Sequence, residues 1–256
     1  MAKDPTSWGD VAEWYDRMLG DGDTFQAKVI LPNLTRLLAL RQGERLLDLA
    51  CGQGYFSHAF AGLGADVVGA DVAPELIALA QKNGPKTARG KGPVFHVAPS
   101  DGVAAVADGS MNKVVIVLAL QNIDDVRATF RECARVLAPG GSLHVVLNHP
   151  AFRVPKGSSW EWAENGAQYR RVDRYLSEAK VKIQMRPGAD PAATTVSFHR
   201  PLEFFVKALA KNGFMIANME EWISHKKSDS GPRAAEENRA RKEIPMFMYI
   251  EARRSA

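Results

Sequence analysis

Cysteine is scarce in this chain of 256 residues, and so are long apolar runs. Cys51 and Cys133 stand far apart, with no C-x-x-C and no Cys/His metal spacing near either. That excludes a disulfide framework and gives no expectation of a metal. The longest unbroken apolar run, Val114 to Leu120, has 7 residues, where a membrane span needs about 20. Met1 to Asp10 lacks the apolar stretch of a secretion signal, so the expectation is a cytoplasmic protein without a membrane partner. Charge of one sign is not in large excess either: 33 Lys and Arg against 29 Asp and Glu leave +4, a bias that suits a polyanion without requiring one. With 46% apolar, 24% charged and 8% aromatic residues, collagenous, coiled-coil and disordered classes are excluded. The length fits one large domain or one domain with an elaboration.

What is present is a rhythm. Short apolar runs at Arg45 to Leu49, Asp66 to Ala70, Val94 to Val97, Lys113 to Leu120 and Ser142 to Leu147 alternate with helical patterns, the signature of β-α-β units. The fourth run is apolar throughout and is expected mid-sheet, covered on both faces. Helices are expected over Trp14 to Leu19, over Phe25 to Leu40 with a kink at Pro32, over Pro74 to Lys82 and over Asp124 to Leu137. From Pro150 to Arg200 the rhythm breaks; strict alternation in Lys180 to Arg186, followed by Thr194 to His199, predicts a hairpin with one solvated face. A helix from Pro201 and strands at Phe214 to Met219 and Met246 to Ile250 then complete the sheet, and Pro232 to Glu243 is an exposed helix or a loop. The expected organisation is one domain, with a helical lid at 1–42, a cofactor-binding core at 43–149, a substrate-side insertion at 150–200 and completion of the sheet at 201–256.

Asp48-Leu49-Ala50-Cys51-Gly52-Gln53-Gly54-Tyr55-Phe56-Ser57 runs from a strand through a glycine turn into a helix, close to the nucleotide fingerprint G-x-G-x-x-G. Asp71, at the end of the next strand and 19 residues after Gly52, stands where an acid accepts hydrogen bonds from ribose hydroxyls. Asp48 beside the turn would repel a pyrophosphate but suits the ammonium and sulfonium charges of S-adenosylmethionine. The plainer alternative makes Asp48 a turn cap and the glycines ordinary turn residues.

Asp48 to Gly54, then Asp71, the Val114 to Gln121 strand and Leu137-Ala138-Pro139-Gly140-Gly141 resemble, in order and spacing, the motifs of class I S-adenosylmethionine-dependent methyltransferases. The resemblance implies a Rossmann-like α/β fold: a seven-stranded, mostly parallel sheet with helices on both faces and an antiparallel last strand. It implies S-adenosylmethionine as cofactor and S-adenosylhomocysteine as product. Ala50, Cys51, Gly52, Gln53 and Gly54 would surround the methionine moiety, Asp71 would hold the ribose and Ser100 or Asp101 the adenine, with Val72 and Ala119 as further cofactor-binding candidates. The chain departs from the family at Ala98-Pro99-Ser100-Asp101, where an Asp and a small residue are usual, and at Asn112, where Asp is usual. Bacterial methyltransferases of the small-molecule type are similar also at Asn148-His149-Pro150-Ala151-Phe152-Arg153, Tyr169 to Tyr175, Phe198-His199-Arg200-Pro201-Leu202 and Glu243-Ile244-Pro245.

Methyl transfer needs alignment and, for some acceptors, a base. Loops at the carboxyl ends of strands face the ligand crevice in open α/β sheets, which selects His149, His199 and Asn148 as catalytic candidates. Tyr15, Gln121, Asn122, Arg153, Tyr169 and Arg170 are the substrate-binding candidates. Each has a bland alternative as a loop, cap or packing residue. Tyr169 to Arg186 carries six basic and two acidic residues, which reads as a phosphate or carboxylate clamp, as an RNA-binding strip or as a solvated face. A small-molecule methyltransferase leads. An RNA methyltransferase and a non-catalytic cofactor-binding scaffold are the alternatives, and oligomeric state is left open.

Overall fold

Each apolar run of the first half becomes a strand. The computed structural model describes residues 8–9, 12–20, 22–84, 92–186 and 190–255, the side chains of 15, 186 and 190–192 excepted. Strands β1 (Arg45–Leu49), β2 (Asp66–Asp71), β3 (Val94–Val97), β4 (Met111–Val117) and β5 (Leu137–Asn148) are followed by two hairpins. These are β6 (Ser158–Trp162) with β7 (Gln168–Val172), and β8 (Ala179–Arg186) with β9 (Asp190–His199). Strands β10 (Phe214–Trp222) and β11 (Phe247–Arg254) return to the main sheet, whose order is β10-β11-β5-β4-β1-β2-β3. β11 runs antiparallel to both neighbours, and the other pairings are parallel. The apolar run of β4 therefore lies mid-sheet, as its composition predicts.

The helices are α1 (Ala12–Gly20), α2 (Leu31–Leu38), α3 (Tyr55–Gly62), α4 (Pro74–Asn83), α5 (Val126–Val136), α6 (Leu202–Lys211) and α7 (Ala234–Glu243). Strand alternation divides the core. Leu47, Leu49, Val114, Ile116, Leu143 and Val145 face α5 and α6, whereas Leu46, Val115 and Val146 face α2 and α3. α2 is thus part of a core layer, with Leu34 and Leu38 buried, so within the stretch 1–42 expected as a lid, Leu31–Leu38 packs on the sheet. The continuous helix expected over Phe25 to Leu40 is corrected: Gln26–Ile30 forms a π-type turn before α2. Pro32 has no N–H to donate backward, so the chain restarts there.

Two local features bear on the site. β4 ends at Val117 rather than Leu120 because Leu118 turns into left-handed backbone, φ 51°, leaving Leu120–Asn122 as a 3₁₀ turn. Asp125 caps α5, its Oδ1 accepting from the Ala128 N–H at 2.9 Å. Asn112, the departure noted above, accepts the Arg45 N–H at 2.9 Å and so ties the starts of β1 and β4. Among the described residues no helix is long and apolar enough to cross a membrane.

Close packing of the glycine turn fixes the β1–β2–β3 end of the sheet. A Cβ on Gly69 would lie 2.5 Å from the Phe95 ring and 3.0 Å from Cys51 Sγ, and one on Gly54 would lie 2.8 Å from the same ring. Phe95 is the wedge between loop and strand. Gly69→Ala is expected to cost about 1–3 kcal/mol, each kcal/mol lowering the melting temperature by roughly 2–4 °C. Phe95→Leu in the same chain should recover part of the loss in a thermal melt.

Candidate active site

The strand β1 delivers Asp48, and the turn that follows must reverse within a few residues. Ala50 (φ 59°), Gly52 (φ 57°) and Gly54 (φ 79°) all take left-handed backbone, and the non-glycine Ala50 costs energy that only a tightly held loop repays. Leu118 repeats this strain at the end of the adjacent strand β4. The two strained positions flank one crevice at the carboxyl ends of β1 and β4, the position at which open α/β sheets bind ligands.

Two buried carboxylates sit beneath the turn. Asp48 is 2% exposed, and its Oδ2 accepts from Ser57 Oγ at 2.5 Å, so the small third residue of the fingerprint both packs α3 on β1 and bonds the acid. Asp71 accepts from the Gly52 N–H through Oδ2 and from the Ala73 N–H through Oδ1, each at 2.9 Å. Burial, helped by the nearby charge of Asp71, pushes the Asp48 carboxyl up to about 7 against the opposing Ser57 bond. Burial likewise raises Asp71, and it raises the Cys51 thiol further, with both acids adding to the effect. Among the described residues no basic side chain contributes to either acid. Such a pocket disfavours phosphate and favours a cation.

The turn fits the cofactor that the sequence implies. A Cβ at Gly52 would meet nothing within 4 Å, so the space above the turn is open to a ligand. The Gln53 Nε2 is buried without a hydrogen-bond partner, a donor suited to the carboxylate of a methionine moiety. Val72 and Val97 are exposed beside Asp71, offering apolar surface to an adenine ring. Ser100 Oγ pairs with Thr129 Oγ1 at 3.0 Å, and Ala98 N–H bonds the Asp71 carbonyl, so Ser100 and Asp101 leave β3 on the Asp71 side. Ala119 opens the 3₁₀ turn after β4.

The acceptor side divides the candidates. Gln121, Asn148, Arg153 and His199 line one small cavity together with Leu147, Ser197, Phe198 and Arg200. The Gln121 amide donates to the Leu118 carbonyl, while its Oε1 is buried and unpartnered. His199 is 4% exposed and donates through Nε2 to the Tyr175 carbonyl at 2.7 Å. This fixes the tautomer and leaves the Nδ1 lone pair free. His149 corrects its expectation as a base: Nε2 donates to Glu221 Oε1 at 2.6 Å and Nδ1 accepts from the Ala151 N–H at 3.2 Å. Both nitrogens are engaged, and the ring serves to anchor the β5 exit to β10. Asn122 is also structural, its Nδ2 donating to the Val196 carbonyl at 2.8 Å. Tyr169 is half exposed on the first hairpin, opposite Glu161, outside the cavity lining. Arg170 lies below Trp160 and donates to the Phe152 carbonyl and Ser158 Oγ. The Tyr15 side chain falls outside the described residues.

Arg200 was not foreseen. Buried among Phe198 and Phe204, it donates to the carbonyls of Leu120 (3.3 Å) and Asp124 (2.6 Å) and so locks the post-β4 loop to the end of β9. The charged residue inside Phe198-His199-Arg200-Pro201 was the available signal. The larger cavity, about 420 Å³, lies at the opposite, amino-terminal end of the strands. Its Lys113–Glu44 and Arg253–Glu251 pairs are already satisfied, and it faces away from the crevice.

The raised Asp48 carboxyl sets a pH dependence. Because the folded form holds its proton up to about pH 7, its stabilisation is complete below the unfolded value near 4 and is lost as pH rises to about 7, at roughly 1.4 kcal/mol per pH unit. Asp48→Asn, which keeps the Ser57 contact, should therefore raise the melting temperature above pH 7 and leave it unchanged at pH 4.

The comparisons agree with this geometry. A family model described as a methyltransferase domain matches residues 47–145. A ubiquinone biosynthesis O-methyltransferase of Xanthomonas oryzae pv. oryzae is 38% identical over 128 residues, 50% of each chain; the chain spans about half the length of the curated relatives it matches. An S-adenosylmethionine-dependent methyltransferase from Mesorhizobium loti superposes with a TM-score of 0.71 at 29% identity, covering 87% of this chain and 96% of that one. The [4+2]-cyclase SpnF shares the fold alone, at 18% identity and a TM-score of 0.64 over 98% of this chain and 97% of its own. Residues 47–145 match a methyltransferase domain, and the seven-stranded sheet built around them is the fold of the S-adenosylmethionine-dependent methyltransferase it resembles.

Proposed function

We propose that the protein transfers the methyl group of S-adenosylmethionine to a hydroxyl oxygen of a small-molecule acceptor held between the post-β4 loop and the inserted hairpin β8–β9. The observation that carries this reading is the pair of buried acids, without a basic neighbour among the described residues, beneath an open glycine turn. They suit a sulfonium and an ammonium, and they adjoin a separate cavity that holds a histidine with a free lone pair. The choice of oxygen is supported by the O-methyltransferase relatives.

The bound cofactor supplies an electrophilic methyl group open to in-line displacement. The protein's residues do the rest. Asp48 and Asp71 favour the cation, and Asp71 holds the ribose while its backbone bonds keep the turn closed. Ser100 or Asp101 meets the adenine. Gln121 Oε1 and the Asn148 amide, which makes no hydrogen bond of its own among the described residues, orient the acceptor. His199 Nδ1 receives the hydroxyl proton, and the Tyr175 carbonyl steadies the charge that forms on the ring. Because the site is half enclosed by apolar residues, water is kept from the reacting oxygen. We place the reaction in the cytoplasm, where free thiols such as Cys51 and Cys133 persist.

Gly52→Val, which forces a branched side chain into left-handed backbone and into the open space, and Asp71→Ala should each weaken S-adenosylmethionine binding at least tenfold in calorimetry; unchanged affinity in both would refute the site. His199→Ala is expected to lower kcat about 10²- to 10⁴-fold with cofactor affinity within twofold, and an unchanged kcat would assign the ring to structure. Labelled methyl transfer into a metabolite extract, with and without ribonuclease, decides the acceptor class. Label in ribonuclease-resistant small molecules is expected. Label abolished by ribonuclease would move the reading to RNA, and none in any fraction would leave a non-catalytic scaffold.

A further inference from the structure

The acceptor crevice is chemically divided. Its lining holds two acceptors without donors among the described residues, Gln121 Oε1 and His199 Nδ1. The same lining holds Arg153, whose guanidinium makes no ion pair or hydrogen bond among the described residues and is disfavoured by burial. Arg170 on the first hairpin donates to the Phe152 carbonyl and Ser158 Oγ and has no ion pair among the described residues; burial first, and then the charge of Arg153, disfavour its own charge. A partly buried guanidinium without a counter-ion among the described residues is an unbalanced charge, and an incoming anion relieves it. The enclosed space is small, about 40 Å³, which restricts what meets these residues to compact polar groups. The planar fork of arginine matches a planar carboxylate through two parallel hydrogen bonds.

We infer that the acceptor is a hydroxy acid whose carboxylate pairs with Arg153 while its hydroxyl points to Gln121 and His199. This assignment rests on the methyltransferase reading and adds the chemical class of its acceptor. Arg153 and Arg170 come from the segment after β5 and from the first hairpin, and His199 ends the second, so the whole insertion acts as the reader of acceptor charge.

The test uses the full chain saturated with S-adenosylhomocysteine, saturation being confirmed in the same calorimeter; failure at that stage would count against the cofactor reading and not against this one. The complex is then titrated with 3-hydroxybenzoate, 3-hydroxybutyrate, phenol and phenyl phosphate. At least one of the two hydroxy acids is expected to bind ten or more times tighter than phenol. Arg153→Gln should erase that preference and Arg153→Lys restore part of it, both with melting temperatures within about 2 °C of the parent. Equal binding of phenol and the acids, the absence of saturable binding by both acids, or undiminished binding to Arg153→Gln would overturn the inference. A preference for phenyl phosphate would overturn the carboxylate assignment in favour of a phosphate.

Discussion

Asp71 accepts one backbone amide on each side of the crevice, from Gly52 in the turn after β1 and from Ala73 at the start of α4. Much of the site depends on that double bond. The turn contains three left-handed residues, one of them alanine, and its own backbone closes it with a single bond, from the Gly54 N–H to the Cys51 carbonyl. A buried carboxylate bonded at both oxygens holds it further, at the cost of desolvating a charge next to Asp48. The same negative field that makes the empty pocket costly makes it selective. Stability given up at Asp48 and Asp71 is returned when a cation arrives, a common trade at functional sites.

Fold alone would not justify a function here, since the same architecture carries a cyclase among its solved examples. Methyl transfer is supported by the charge of the pocket, the open space above Gly52 and the polar atoms that have no partner among the described residues. These are properties of particular side chains, and the long insertion supplies much of the crevice that meets the acceptor.

The parallel core was legible because burial on both faces leaves a continuous apolar run, and because glycine turns and Pro-initiated helices punctuate it. Asp48, Gly52 and Asp71 were legible for the same reason: their spacing is set by the geometry of one β-α-β unit. The ends of elements were less so. Leu118 adopts left-handed backbone, for which leucine carries no signal, and β4 therefore stops early. The hairpin of β6 and β7 went unread although Asn165-Gly166 marks its turn, with Gly166 at φ 81°. His149 and His199 could not be separated by sequence, because the difference lies in distant partners: Glu221 on β10 closes one ring, and the Tyr175 carbonyl leaves the other half open. Arg200 was hidden for a related reason, its partners being backbone carbonyls that composition does not reveal.

Three bonds join the second hairpin to the loop after β4: Asn122 to the Val196 carbonyl, and Arg200 to the carbonyls of Leu120 and Asp124. The cap over the acceptor is consequently riveted to the central strand of the sheet rather than hinged at its own ends. A graft exchanging residues 150–200 for those of a relative would not carry acceptor preference with it as a cassette; the Leu120–Asp124 loop would have to be exchanged together with it, as one mechanical part.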